Sequence, residues 1–177
     1  NKWYFEGEHR QAISAYLQAL RLDPDYSNAW LNGAVVWAQL GQLETSSQWY
    51  KKAAKLSPKD HAIQVAFAEV MLRMGDSKAS QDKFERALKL DGEDIHALIG
   101  LGRLNHSVGK LEEGIAYLAK AARIKPHQTL AHFFLGQVRE EAGDDVGAIS
   151  AYKEAAFSDS YFTQARFHLS KSFARLH

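Results

Sequence analysis

Apolar residues along this chain recur at helical spacing in stretches of about 14 residues, and glycines and prolines separate the stretches at fixed intervals. Gly7, Gly41, Gly75, Gly109 and Gly143 each stand 34 residues from the next. Nine positions after each glycine is a large side chain: Tyr16, Tyr50, Phe84, Leu118 and Tyr152. Twelve after it is an alanine: Ala19, Ala53, Ala87, Ala121 and Ala155. The column fifteen after reads Leu22, Leu56, Leu90, Ile124 and then Ser158. The one seventeen after reads Pro24, Pro58, Gly92, Pro126 and Ser160. Upstream, the position seven before is small: Ala34, Ala68, Gly102, Gly136 and, by extension, Ser170. Eight before stand Gly33, Phe67, Leu101, Leu135 and Leu169, and twelve before stand Ala29, Ile63, Ala97, Ala131 and Ala165.

Each column has a physical meaning. The glycine suits a left-handed position that closes one helix, and the proline suits the turn before the following one. Small columns let two helix backbones approach, while the Tyr/Phe/Leu column fills the space beside them. The pattern predicts inner helices near 28–40, 61–74, 95–108, 129–142 and 162–175, with partners near 8–22, 43–56, 77–90, 111–124 and 145–157. Residues Asn1–Glu6 read as the tail of one more inner helix, closed at Gly7. Gly33 stands where the column otherwise holds a large side chain, which predicts looser packing there. Each unit is a helical hairpin whose apolar face is covered only by its neighbours.

These residues resemble the tetratricopeptide repeat family. The resemblance covers essentially the whole chain, read as a single array over 1–177. It has a partial repeat at 1–26, full repeats at 27–60, 61–94, 95–128 and 129–162, and a terminal helix at 163–177. Gly143, Ala148, Tyr152 and Ala155 follow the family pattern closely, as do Trp30, Gly41, Tyr50, Ala53 and Pro58. Five after the glycine the family favours alanine; Ala12 and Ala148 fit, while Ser46, Ser80 and Gly114 replace it with other small residues. The resemblance implies an all-α fold, a right-handed superhelical array of antiparallel helical hairpins whose concave wall is built from the inner helices. Both ends look cut. The polar face of the last helix, with Gln164, Arg166, His168, Lys171 and Arg175, suits either a solubilising cap or a chain that continues.

Under that resemblance the outward columns of the inner helices become the binding surface. Ten before each glycine are Leu31, Val65, Ile99, Phe133 and, by extension, Phe167, an apolar ladder. Beside it stand Asn28, Asn32, Val35, Glu69, Arg73, Arg103, His106, Gln137 and Lys171, which would set register and direction for a peptide. Phe134 shares a column with Asn32, Ala66 and Gly100. The competing reading is that the ladder packs between adjacent repeats and is never exposed. Some relatives hold a chaperone's C-terminal carboxylate with Lys, Asn and Arg. Here Asn1 and Asn32 fall at the asparagine places, but Ala62 and Ala66 stand where the cations belong, so the clamp is broken.

Composition narrows the function classes. Hydrophobic residues make up 46%, which suits a folded chain. Lys plus Arg number 22 against 21 Asp plus Glu, a balance that disfavours a nucleic-acid partner. No apolar run approaches the roughly 20 residues of a membrane span, so direct membrane insertion is not expected. The absence of cysteine excludes disulfides and thiolate chemistry and leaves the compartment open.

Candidate chemistry is sparse. His127 and His132 are five apart and His96 and His106 ten apart, poor spacings for a zinc helix. Gly100-Leu-Gly102 mimics a dinucleotide fingerprint without the preceding strand or third glycine. Glu140, Glu141, Asp144 and Asp145 read as a solvated corner, the two aspartates suiting a helix start. Trp3, Trp30, Trp37 and Trp49 follow repeat columns and read as core. The expectation is a non-enzymatic scaffold without cofactor or metal that binds a peptide or partner protein in the groove. Two alternatives stand beside it. One is the interaction module of a longer enzyme or of a bacterial envelope, secretion or exopolysaccharide-export protein. The other is an array that self-associates through its terminal helices.

Overall fold

The computed structural model describes residues 2–159 and 162–175, with side chains from Gly7 onward. Asn1, the Trp3 side chain, the breaker position Ser160 and the chain end at His177 lie outside the described residues. Those described form ten helices and no strand: α1 (Lys2–Leu22), α2 (Ser27–Gln39), α3 (Leu43–Leu56), α4 (His61–Arg73), α5 (Ser77–Leu90), α6 (Ile95–Ser107), α7 (Leu111–Ile124), α8 (Thr129–Glu141), α9 (Asp145–Ser158) and α10 (Thr163–Arg175). They gather into two compact units, Asn1–Asp91 and Gly92–His177. Consecutive helices pair as hairpins: α2 with α3, α4 with α5, α6 with α7 and α8 with α9.

The glycine column closes the first helix of each hairpin as expected. Gly41, Gly75, Gly109 and Gly143 have φ of 77°, 83°, 76° and 79°. Around each, the next residue's N–H reaches back five positions: Gln42 to Trp37 O at 2.9 Å, Asp76 to Met71 O at 3.0 Å, Lys110 to Asn105 O at 2.9 Å and Asp144 to Arg139 O at 2.9 Å. This satisfies carbonyls that a helix end would otherwise leave bare. Gly7 departs from the expectation. It lies inside α1, which runs unbroken from Lys2 to Leu22, and it is not among the positive-φ glycines. A glycine permits reversal but does not impose it.

Small residues sit where backbones meet. Ser46 Oγ donates to Ala34 O at 2.7 Å and Ser80 Oγ donates to Ala68 O at 3.0 Å, both serines fully buried. In the second unit the same place holds Gly114, where an added Cβ would lie 3.2 Å from Gly102 O. Serine is therefore tolerated because its hydroxyl finds a partner at the crossing. Gly33 does not leave a gap: the indole of Trp49 occupies the space a Cβ would need. Trp49 in turn packs edge-on against Trp30 (centroids 4.9 Å) and Trp37 (6.4 Å), so these three tryptophans form core, as read from the sequence.

A second regularity ties inner helices to the turns before them. Trp30 Nε1 donates to Pro24 O at 2.8 Å, and His132 Nε2, one hundred and two positions on in the same column, bonds Pro126 O at 2.8 Å. Leu98 holds the equivalent place in α6 and has no donor; there Lys120 Nζ reaches the Gly92 carbonyl at 2.8 Å instead. Negative N-caps reinforce the starts. Asp144 accepts from Gly147 N at 2.9 Å, and Asp60, Asp76 and Asp94 cap α4, α5 and α6.

Candidate interaction site

In the first unit the expected groove residues are spread along α2 and α4. Asn28, Asn32 and Val35 are exposed, while Leu31, Val65 and Glu69 are half-buried. Arg73 is committed elsewhere: its guanidinium donates to Ala38 O at 3.0 Å, at the C-terminal end of α2. A hollow of about 390 Å³ between α1 and α2 is lined by Arg10, Ile13, Trp37, Leu40 and Gln42, none of them in the expected groove.

The apolar ladder is corrected in the second unit. Ile99 and Phe133 are each only 5% exposed. Phe133 packs edge-on against Phe162 (centroids 4.9 Å) and lies 6.1 Å from the Tyr152 ring and 5.7 Å from the His168 ring. At Phe133 the position faces the joint to the next hairpin, so the ring there packs chiefly as core and shows only an edge to the surface. Phe167, in the same column, is 66% exposed.

What the second unit does assemble is an aromatic cleft between α8 and α10, about 500 Å³ in volume. Phe133, Phe134 and Gln137 line one wall and Thr163, Gln164, Phe167 and His168 the other. The Arg103 guanidinium, from α6, lies 5.0 Å over the Phe134 ring. Of the expected residues, the structure thus gathers Arg103, Phe133, Gln137 and Phe167 at one place. Lys171 is one helical turn beyond, on the Phe167 side of α10. His106 is turned to Glu141, bonded at 2.6 Å.

Phe134, Thr163, Gln164 and His168 were not among the expected site residues. Phe134 carried a signal: it is the aromatic residue in a column that otherwise holds Asn32, Ala66 and Gly100. Gln164 and His168 read from the sequence as a polar cap, because spacing alone does not reveal a cleft between two helices.

Behind the cleft is a polar node. Glu140 is 12% exposed and not solvated as the sequence suggested. It accepts from the Tyr152 hydroxyl at 2.7 Å and from His168 Nδ1 at 3.3 Å, and it pairs with Lys171 at 3.7 Å and with Arg175. Burial pushes the Tyr152 phenol up to about 12, so it stays a donor. Burial, and then the Lys171 charge, hold the His168 imidazole below its ordinary range. At neutral pH, therefore, His168 donates to Glu140 as a neutral ring, with Nδ1 carrying the hydrogen. Of the corner carboxylates, Asp144 and Asp145 do begin α9. The glycine pair Gly100 and Gly102 lies buried inside α6, with no strand before it among the described residues.

Two-helix hairpins repeating every 34 residues, with close small-residue crossings and glycine-closed first helices, define a helical-repeat scaffold. The Tetratricopeptide repeat family model matches residues 4–61, 65–129 and 109–161, and the chain belongs to that family, whose members are typically non-enzymatic protein-interaction modules. No curated protein matches the sequence significantly. Solved structures share the fold. The crystal structure of MamA aligns with a TM-score of 0.78 at 23% identity, over 90% of this chain and 93% of that one. The crystal structure of YrrB, described as a TPR protein with an unusual peptide-binding site, aligns at 0.74 and 19% identity, over 97% and 88%. Among the described residues no helix is long and apolar enough to cross a membrane.

Proposed function

We propose that this protein is a binding module that holds a segment of a partner protein on the inner helices of its second unit, with one guest side chain seated between α8 and α10. The observation that carries this reading is Phe167, 66% exposed on the wall of an open cleft whose other wall presents Phe134. Wet aromatic surface gains about 25 cal/mol per Å² when a guest covers it. Gln137 and Gln164, one on each wall, offer both donors and acceptors to a peptide backbone. The peptide-binding site described for YrrB supports the reading as a likeness of fold. The reading includes no catalytic step, since the titratable side chain of the cleft, His168, is committed to Glu140.

The test is selection of peptides from a random display library on the whole chain, followed by titration of the selected peptides into isotope-labelled protein. The expected result is shifts of the Gln137, Gln164 and Phe167 amides, with affinity falling about tenfold, or about 1.4 kcal/mol, in Phe167→Ala. Shifts confined to other helices, with Phe167→Ala binding as well as the parent, would remove the site.

A further inference from the structure

The sequence of α10 is one-sided in charge. Thr163–Arg175 contains Arg166, Lys171 and Arg175 and neither Asp nor Glu. The carboxylate that Lys171 and Arg175 share is Glu140, which is largely covered. One covered anion set against three cations leaves the accessible side of α10 positive. Phe167 and Lys171 are four residues apart and so share a face; Lys171 is 57% exposed. Across the cleft, Arg103 lies over Phe134. None of the described residues lining the cleft is acidic. The next carboxylate along α8, Glu141, is one turn past Gln137 and bonded to His106.

We propose that the cleft selects a peptide segment in which an aromatic side chain is flanked by Asp or Glu. The proposal rests on the reading of the cleft as a peptide seat and adds the chemistry of the guest. The guest ring enters between Phe134 and Phe167 above the edge of Phe133, where the walls are themselves rings. Its acidic neighbours lie toward Lys171 and the positive side of α10. A basic segment would set cation against cation, and an acidic segment without the ring would leave both phenylalanines wet. Charge complementarity of this kind sets specificity and approach rate more than bare affinity.

Three synthetic peptides on one backbone separate the possibilities. One carries a central Phe between pairs of Asp, the second replaces the Asp residues with Lys, and the third replaces the Phe with Ala. Each is titrated into the whole chain at low and at high salt, beside a single-stranded oligonucleotide as a plain polyanion. The expected result is binding of the first peptide alone, weakened at least severalfold by high salt, by Lys171→Gln and by Phe167→Ala. Lys171 is exposed, and an unchanged helical melting curve verifies that its variant is folded. Equal binding of the alanine peptide or of the oligonucleotide would reduce the effect to charge and overturn the proposal. Binding of the lysine peptide at the same amides would also overturn it while leaving the peptide seat in place. Failure of these peptides together with failure of the display library to find any ligand for the cleft would remove both.

Discussion

The carboxylate of Glu140 on α8 lies 3.3 Å from Nδ1 of His168 on α10, and it also takes the Tyr152 hydroxyl of α9 at 2.7 Å. Three helices of the second unit are therefore joined through one side chain that is only 12% exposed. His168 also lines the cleft, so the node that fixes α10 also fixes one wall of the cleft.

Glu140→Ala should loosen α10 first. The substitution leaves the Tyr152 hydroxyl without its acceptor and removes the anion between Lys171 and Arg175. Bonds to a charged partner are worth roughly 1.5–3 kcal/mol each, and they do not add fully. The expected cost is about 2–3 kcal/mol in chemical denaturation. Hydrogen exchange should show α10 amides losing protection while those of α6 keep it. Uniform loss across both helices would mean that the node is not local to α10.

Acid should act on the same contact. The folded state holds His168 below its ordinary range, chiefly by burial and then by Lys171. Between the ordinary value and the lowered one, the unfolded chain binds the proton and the folded chain does not. The contribution of His168 to stability is therefore full above the ordinary histidine range, and it is lost as pH falls through that range to the lowered folded value. A histidine-resolved NMR titration should find His168 titrating below the ordinary histidine value, and His168→Gln should flatten this part of the acid limb. Titration of His168 at or above the ordinary value would contradict the geometry.

One column separates core from surface. Phe133 and Phe167 occupy the same repeat position, yet one is 5% and the other 66% exposed. Phe133→Asp should cost at least about 3–5 kcal/mol, because it removes a buried ring and places a carboxylate among Phe162, Tyr152 and His168. Circular dichroism should show lost helix, and Ile99→Asp should behave likewise. Phe167→Asp should stay folded and affect binding alone. A fully helical Phe133→Asp variant would return that residue to the groove.

These contrasts show what the sequence made legible. Period, the bounds of α2 to α10 and the turns closed by Gly41, Gly75, Gly109 and Gly143 followed from spacing, because each is a local consequence of helical geometry, whereas the turn expected at Gly7 did not form. Which face of an inner helix stays open did not follow, since Ile99 and Phe133 are buried and Phe167, in the same column, is not. Glu140 reads like Glu141 in sequence, and only the placement of Tyr152, His168 and Arg175 around it distinguishes them. The place Gly33 leaves is filled by Trp49 from the facing helix, sixteen residues further along the chain. Such partnerships lie between columns, whereas the repeat pattern reports on columns one at a time.

The glycine column offers the sharpest comparison, because one letter plays two parts in it. At Gly75 φ is +83° and an added Cβ would meet nothing within 4 Å, so Gly75→Ala tests the backbone alone. A side chain in the left-handed region costs roughly 1–2 kcal/mol. Gly7 also has open space for a Cβ, but it lies inside α1, where alanine is favoured over glycine by about 0.8–1.0 kcal/mol. Gly75→Ala should lower the thermal midpoint, while Gly7→Ala should leave it unchanged or raise it and increase helical content. If Gly7→Ala were as damaging as Gly75→Ala, the chain would reverse at Gly7 after all, and the unbroken α1 would be wrong.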